Sequence, residues 1–458
     1  MRPLLLALLI AAPAQAQFFG PATRHELAQR LKMFESALEK HKGDRKAVER
    51  AVPIIAPATA AFFAGDAAKV ARLLDTARLS LESEKPDEAK AWASSWRFTL
   101  KKRVGDPKEG DVEVRVERLY KMAVGAPESA KVSLMLATKT RGVVTTPAEF
   151  PKKAVLFWGD CQEGDHKLVC TIDVGEKELF RTEQTFSLIS DFDARLKKMD
   201  KSDPLGKKTV EAATLAHHLG ILKALAKGEA LETDYPAHRL LVEAEAIAAG
   251  KWDPKAPGQY WLALPGVAGS PVRLAVPKQA KAGKPLPVVV ALHGAGGSEN
   301  MFFDAYGNGL VAKLGLERGW FVVATRGGFF GPDVPAVLDA LAKLHSIDPK
   351  RVFVVGHSMG AAQAVALAGR KPERYAAVAA LGGGGTFKEG DGLKKVPFFV
   401  GAGKLDFALK SAERLAKSLE KAGAATAFKE YPHIEHLAVV QWSLPEVFAF
   451  FDKATAPR

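Results

Sequence analysis

The chain of 458 residues is 47% apolar and 26% charged, a composition that excludes a disordered, collagen-like or fibrous protein. Its formal net charge of +13 comes from 65 Lys and Arg against 52 Asp and Glu. Most basic residues alternate with acidic ones along helical stretches, without a basic run interleaved with aromatic residues, so we expect no nucleic-acid partner. At about 150 residues per domain, the length predicts two or three domains.

The first residues of the chain have the pattern of a secretory signal peptide. Arg2 precedes an apolar stretch over 4–12, and Ala-Gln-Ala follows at 14–16. We predict a signal peptide over 1–16 that is cleaved after about Ala16, and a mature protein that is secreted or periplasmic. The apolar stretch is shorter than the ~20 residues needed to cross a bilayer, and we expect no transmembrane segment after cleavage.

The two cysteines, Cys161 and Cys170, flank a Gly-Asp-His segment that we interpret as the turn of a β-hairpin. An oxidising compartment favours a disulfide between them. Two buried thiols are the alternative, because pairing requires Cα atoms within about 7 Å of each other.

The N-terminal region changes pattern twice. Apolar side chains recur at helical spacing from Leu27 onward, which predicts a helical region over 17–105. Alternation with a period of two begins near Val112 and predicts a small antiparallel β region over 106–190. Helical pattern returns over 191–256 and ends in a Pro- and Gly-rich linker. We find no catalytic pattern in this part of the chain.

After residue 256, continuous apolar runs are bounded by Gly and Pro and separated by helical patterns. These runs cover residues 288–292, 321–324, 352–355, 376–381 and 398–400. Continuous rather than alternating apolar strands, alternating with helices, predict a parallel sheet covered on both faces. We therefore predict one α/β domain over 257–458.

The sequence Gly-His-Ser-Met-Gly at 356–360 lies between a predicted strand, 351–355, and a helical run, 361–368. In this context G-x-S-x-G forms a tight turn that presents the serine hydroxyl at the carboxyl edge of the sheet. The N-terminus of the following helix favours developing negative charge at the same place. We interpret Ser358 as a nucleophile, with a plain turn as the alternative.

Another predicted strand, 287–292, leads directly into His293 and a Gly-Ala-Gly-Gly segment. Glycines at a strand end free backbone N–H groups to bind a substrate oxyanion. We predict that the N–H groups of Ala295 and Met359 form this oxyanion hole. The segment lacks the Lys and Ser/Thr of a phosphate-binding loop, and we expect His293 to brace the loop rather than act as a base.

An acid and a base are predicted from strand ends further along the chain. The strands that precede them cover residues 396–400 and 427–431. Asp406 follows the first and is favoured over Asp391, which precedes that strand. His436 follows the second and is favoured over His433, although one residue of loop geometry decides between them.

Several motifs together resemble the α/β-hydrolase superfamily, and most of all its compact esterases of the polyhydroxybutyrate-depolymerase and feruloyl-esterase type. These motifs are the segments at 271–277, 293–297, 347–352, 356–360, 403–406 and 435–436. The resemblance covers residues 257–458 and implies an α/β-hydrolase fold with a mostly parallel sheet. It implies Ser358 as nucleophile, Asp406 as acid, His436 as base and Ala295 and Met359 as oxyanion donors, without a metal or organic cofactor.

We therefore predict a secreted serine hydrolase that cleaves carboxylic esters through an acyl-enzyme. The connection over 325–333 is short and little chain is available for a lid, which predicts an open site for small esters or the ends of an ester-bearing polymer. One alternative is a serine peptidase resembling prolyl-oligopeptidase-like enzymes. Another is a non-catalytic envelope-binding protein with a vestigial hydrolase domain.

Overall fold

The structure is a computed structural model that describes residues 21–136, 140–141, 153–158, 161–200, 208–268, 270–328, 331–387 and 391–454. The predicted signal peptide and its cleavage site lie outside these residues. The chain forms two compact units. The N-terminal unit holds the described residues up to Ala37 and Ala60–Trp252, and the C-terminal unit holds Leu38–Thr59 and the chain from Asp253 onward. Among the described residues, no helix combines the length and apolar character that a membrane crossing needs.

Helices and short strands alternate in blocks over the first half of the chain. The helices before the first strand are α1 (Pro21–Lys40), α2 (Arg45–Ile55), α3 (Ala58–Phe63), α4 (Ala67–Glu82) and α5 (Glu88–Ser94). The strands that follow are β1 (Trp96–Leu100), β2 (Val104–Gly105), β3 (Asp111–Arg118), β4 (Ala130–Leu136), β5 (Thr140–Arg141), β6 (Lys153–Phe157), β7 (Gly164–Val174) and β8 (Lys177–Leu188). Further helices are α6 (Phe192–Asp200), α7 (Val210–Ala226) and α8 (Ala237–Ala248).

In the described part of the N-terminal unit the strands form two sheets, in the orders β1-β3-β6 and β2-β8-β7-β4-β5. Val112, Val114 and Val116 of β3 are buried and alternate with exposed or half-buried residues, which is why this sequence forms a half-buried strand. The helices and antiparallel strands predicted for this region are confirmed. Strands β1 and β2 lie within the range 17–105, which the sequence analysis assigned to helices. Strand β1 pairs antiparallel with β3, and β2 pairs parallel with β8.

The disulfide expected from the sequence is absent: Cys161 and Cys170 are not joined. The Gly-Asp-His segment between them is the beginning of β7, an 11-residue strand, rather than a turn. A hairpin turn would have returned the chain toward Cys161, whereas an extended strand carries it away at about 3.3 Å per residue. Cys170 instead lies in the core of the unit, where burial raises the pKa of its thiol.

One sheet organises the C-terminal unit. Its strands are β9 (Gly258–Leu262), β10 (Val272–Val276), β11 (Leu286–Leu292), β12 (Phe321–Thr325), β13 (Ile347–His357), β14 (Ala377–Leu381), β15 (Phe398–Gly403) and β16 (Thr426–Tyr431). Among the described residues the sheet order is β16-β15-β14-β13-β11-β12-β10-β9. Strands β11 to β16 are parallel to one another, and β10 pairs antiparallel with both of its neighbours, β12 and β9. The predicted, mostly parallel sheet is confirmed.

Helices connect these strands in alternation with them. They are α9 (Met301–Asp304), α10 (Leu310–Glu317), α11 (Val334–Ala342), α12 (Met359–Arg370), α13 (Leu409–Lys421) and α14 (Ala438–Lys453). Every residue of β12 and β14 is buried, as expected for strands covered on both faces. The carboxyl ends of parallel strands meet at one edge, so the segments that follow β11, β13, β15 and β16 all begin there.

Candidate active site

Ser358 lies in a strained turn between β13 and α12. Its φ of +56° and ψ of −113° are rarely adopted by a residue with a side chain, and such strain concentrates at functional sites. Gly356 and Gly360 flank this turn, and neither position has room for a side chain. A Cβ on Gly356 would lie 2.1 Å from the Gly360 carbonyl oxygen, and one on Gly360 would lie 2.1 Å from the Leu292 carbonyl oxygen. The turn therefore packs directly against the end of β11.

A continuous chain of hydrogen bonds runs from Ser358 to Asp406. His436 Nε2 lies 3.0 Å from Ser358 Oγ, and His436 Nδ1 lies 2.9 Å from Asp406 Oδ1. Since a carboxylate only accepts, the Nδ1 proton of a neutral His436 points to Asp406 and Nε2 is left to accept the serine proton. The Ala408 N–H also donates to Asp406 Oδ1, at 2.7 Å, and fixes the carboxylate.

The alternative residues lie elsewhere. His433 Nε2 is 3.0 Å from Glu49 Oε1, and its backbone has a φ of +61°. Asp391 begins a 3-10 helix ahead of β15, whereas Asp406 follows the carboxyl end of that strand. The structure thus joins His436 and Asp406, rather than His433 or Asp391, to Ser358.

The two predicted oxyanion donors both lie beside this serine in the fold. Met359 is the first residue of α12, so its N–H has no acceptor within the helix. Ala295 follows Gly294, on which a Cβ would lie 3.3 Å from Ser358 Cβ. His293 braces the loop: its Nε2 accepts the Gly327 N–H at 3.2 Å, which leaves Nδ1 to donate to the Gly294 carbonyl at 2.7 Å.

The sequence analysis did not single out two residues beside His436: His357, which contacts its backbone, and Tyr306, which contacts His357. His357 Nε2 lies 2.9 Å from the His436 carbonyl oxygen, and His357 Nδ1 lies 2.6 Å from the Tyr306 hydroxyl. Burial, followed by the nearby His436, lowers the pKa of His357 well below its ordinary value, so this imidazole is neutral. Nε2–H therefore donates to the carbonyl, and Nδ1 accepts from Tyr306.

Glu435 caps the helix that follows His436. Its carboxyl oxygens accept the N–H groups of Leu437, at 2.9 Å, and Ala438, at 2.6 Å. Burial raises the pKa of Glu435 to about 7, against the lowering effect of these hydrogen bonds. In the neighbouring acid, Asp406 Oδ2 is buried and makes no hydrogen bond to any described residue. The described residues contain no group of three or more His, Cys, Asp and Glu that could hold a metal ion.

Comparison with known proteins identifies the class of this fold. Residues 289–456 match the model of the Alpha/beta hydrolase family. With this match, its mostly parallel sheet and the strand-turn-helix around Ser358, the C-terminal unit has the α/β-hydrolase fold.

Solved structures similar to this chain include hydrolases at low sequence identity. A fluorophosphonate-binding serine hydrolase of Staphylococcus aureus is 16% identical, covering 43% of this chain and 99% of its own, with a TM-score of 0.36. A ferulic acid esterase is 18% identical over 39% of this chain and 90% of its own, with a TM-score of 0.35. A thermostable esterase is 17% identical over 79% of this chain and 99% of its own, with a TM-score of 0.37. No curated protein matches the sequence.

Proposed function

We propose that this protein is a serine hydrolase that cleaves carboxylic esters through an acyl-enzyme. The observation that carries the proposal is the chain of hydrogen bonds from Ser358 through His436 to Asp406 at the carboxyl edge of a parallel sheet. Nucleophilic acyl transfer requires a reachable hydroxyl, an imidazole nitrogen facing it and a carboxylate behind the imidazole, and here the hydroxyl is half-buried and the carboxylate is buried.

In the first half of the proposed cycle, His436 Nε2 takes the Ser358 proton while Oγ bonds to the ester carbonyl carbon. The π electrons of the carbonyl move to its oxygen, which accepts the N–H groups of Ala295 and Met359. The C–O bond to the alcohol then breaks, and the imidazolium returns its proton to the leaving oxygen. Asp406 holds the imidazole in the required tautomer and stabilises its charged form.

In the second half, water attacks the acyl-enzyme carbonyl and gives a proton to His436. The bond from the acyl carbon to Ser358 Oγ breaks as the oxygen regains that proton, and the free acid leaves. This cycle uses only side chains and backbone groups of the C-terminal unit, and it accepts a small ester or the end of an ester-bearing polymer as substrate.

The first experiment is hydrolysis of p-nitrophenyl esters of increasing acyl length by the purified mature protein and by Ser358→Ala. We expect hydrolysis of the short esters and a loss of about 10³-fold or more in the variant. Ser418→Ala is the matched control, since Ser418 is exposed on α13 and donates only to its own helix. Undiminished activity in Ser358→Ala would contradict the proposal.

Two other outcomes favour the alternatives drawn from the sequence. Hydrolysis of aminopeptide substrates in preference to esters, still dependent on Ser358, would indicate a serine peptidase. A folded protein without activity on either substrate class would indicate a non-catalytic envelope-binding protein.

We also propose that the protein is exported to the periplasm or secreted. The Arg2 charge, the apolar stretch and the Ala-Gln-Ala sequence support this proposal. N-terminal sequencing of the exported protein is expected to begin at about Gln17. An intact Met1 would contradict it.

A further inference from the structure

Two large apolar side chains flank the buried Asp406 and face solvent. Leu405 is 41% exposed and Phe407 is 65% exposed, while Asp406 between them is 5% exposed. Single exposed apolar residues are common on protein surfaces and need no explanation. A pair placed on either side of an acid that is hydrogen-bonded to His436 is different, because its position relates it to the chemistry of the site.

Phe407 also contacts the imidazole of His436. The centroids of the two rings are 4.3 Å apart, with 40° between their planes. The ring of His357, which is buried, lies 4.7 Å from the same imidazole. His436 thus has one aromatic neighbour in the core and another that is open to solvent, and the open one can touch whatever molecule approaches His436.

The loop that carries this pair is held at several points. The Leu405 N–H donates to the Ile434 carbonyl at 2.9 Å, and the Asp406 N–H donates to the Gly403 carbonyl at 3.1 Å. On the other side of Phe407, the Leu409 N–H donates to the Asp406 carbonyl at 3.1 Å. Because backbone hydrogen bonds fix both ends of the segment, the two apolar side chains are presented by a defined turn.

The chemistry of ester cleavage decides which part of a substrate meets this surface. In the proposed cycle the oxyanion turns toward the amides of Ala295 and Met359, and the leaving oxygen takes its proton from His436 Nε2. The alcohol portion must therefore depart beside the imidazole, and so beside the ring of Phe407. The acyl chain, attached to the same carbon, extends away from that proton donor.

We propose that Phe407 and Leu405 form the alcohol side of the substrate site, and that the protein prefers esters of apolar alkyl or aryl alcohols. This inference rests on the proposed esterase function. Burying the alkyl or aryl group of such an alcohol against these side chains removes apolar surface from water, a gain that a methyl or a polyhydroxy alcohol does not provide.

The test compares acetate esters that share one acyl group and differ in their alcohol: methyl, hexyl, phenyl and glyceryl acetate, followed by titration of the released acid. We expect the native protein to prefer hexyl and phenyl acetate. Phe407→Ala should lower kcat/KM for these two by about tenfold to a hundredfold relative to methyl acetate. Leu405→Ala should show a smaller effect of the same kind, and Phe407→Leu should keep most of the preference.

Phe428→Ala is the matched control, because Phe428 is 37% exposed on the edge strand β16 rather than on the loop. We expect this variant to keep the native preference. A Phe407→Ala variant that loses activity equally on all alcohols would overturn the inference, since the ring would then only shield His436. Equal kcat/KM of the native protein for all four acetates would overturn it as well.

The failure of the proposed function is distinguishable from the failure of this inference. If the native protein hydrolyses none of the esters, or does so equally after Ser358→Ala, both are wrong. If hydrolysis depends on Ser358 but Phe407→Ala leaves the order of the alcohols unchanged, the esterase function stands and the alcohol site is wrong.

Discussion

Each unit holds a carboxylate beside basic side chains, but the hydrogen bonds around the two carboxylates differ. In the N-terminal unit, Asp234 Oδ1 accepts from His25 Nε2 at 2.8 Å and from Arg103 at 3.2 Å, while Oδ2 accepts from Gln29 at 2.8 Å. In the C-terminal unit, Asp406 Oδ1 lies 2.9 Å from His436. The two His–Asp pairs have almost the same length, so the distance alone does not mark a catalytic site.

The two His–Asp pairs differ in the further hydrogen bonds that their side chains make. Both oxygens of Asp234 accept hydrogen bonds from side-chain nitrogens, those of His25, Gln29 and Arg103. The Asp406 pair continues through His436 to a half-buried hydroxyl in a strained turn, and Asp406 Oδ2 makes no hydrogen bond to the described residues. A carboxylate bonded only to side-chain nitrogens holds its neighbours in place, whereas a chain of hydrogen bonds that ends in a reachable hydroxyl can move a proton.

The largest expected effect is a fall in kcat when Asp406, but not Asp234, is replaced by asparagine. Asp406→Asn should lower kcat for a short ester by about 10³- to 10⁴-fold with the fold intact, because the amide favours the wrong tautomer of His436. Asp234→Asn should keep the native kcat per folded molecule and lower stability instead. Steady-state kinetics beside circular dichroism measure both. If Asp406→Asn retained native kcat, the two pairs would be equivalent and the comparison would fail.

The next effect concerns stability of the N-terminal unit. Arg30 Nη1 lies 3.2 Å from Asp75 Oδ1, and the Tyr120 hydroxyl donates to Asp75 Oδ2 at 2.9 Å. Both partners of the ion pair are buried, so Arg30→Met should lower the free energy of unfolding by about 3–5 kcal/mol, since it removes one charge and leaves the other buried. Urea denaturation measures the loss.

The control for this measurement is an exposed ion pair in the same unit. Arg181 Nη2 lies 3.0 Å from Glu183, with both side chains partly open to solvent. Arg181→Met should cost no more than about 1 kcal/mol. Equal losses of the free energy of unfolding for Arg30→Met and Arg181→Met would show that burial does not determine how much these ion pairs contribute to stability.

The strands of the C-terminal unit and Ser358 were predictable because short stretches of sequence are enough to indicate them. Continuous apolar runs mark strands buried on both faces, and a G-x-S-x-G between strand and helix marks Ser358. Asp406 followed from its position after β15. The sequence did not decide between His436 and His433, because the contacts that separate them are with residues far away in the chain: His436 meets Ser358, and His433 meets Glu49.

Other features depend on contacts between distant parts of the chain. Tyr306 and His357 are 51 residues apart in sequence, and only the fold brings their side chains together. In the N-terminal unit the alternation of β3 predicted a strand, but its pairing with β1 and β6 is non-local. The turn expected between Cys161 and Cys170 failed because the pairing of β7 with β8 overrides a local Gly-Asp-His preference.

The stability of the C-terminal unit should also depend on pH through Glu435. Burial raises the pKa of Glu435 from 4.5 to about 7, so in that interval the folded protein holds a proton that the unfolded chain releases. The free energy of unfolding should therefore fall as pH rises through this interval, by on the order of 2–4 kcal/mol from this group.

Glu435→Gln should remove that dependence, because an amide does not titrate and its oxygen still accepts the helix N–H groups. Glu430→Gln, at an exposed position on β16, should leave the dependence unchanged. Urea denaturation at a series of pH values between 4 and 8 measures the slopes. Parallel curves for native protein and Glu435→Gln would contradict the assignment.

The smallest effect tests whether Tyr306 and His357 position His436. Tyr306→Phe removes the hydroxyl that donates to His357 Nδ1, at 2.6 Å, and so loosens the imidazole that holds the His436 carbonyl. Because a hydrogen bond contributes about 1 kcal/mol, we expect kcat to fall about threefold to tenfold while KM is unchanged.

Tyr375→Phe is the control, since the Tyr375 hydroxyl is buried and makes no hydrogen bond within the described residues. It removes the same atom from the same unit without touching the His357–His436 contact, so it should leave kcat at the native value. If both variants lowered kcat equally, or if Tyr306→Phe changed only stability, Tyr306 would be a packing residue. A fall in kcat confined to Tyr306→Phe would instead show that His357 and Tyr306 position His436 for its hydrogen bond with Ser358.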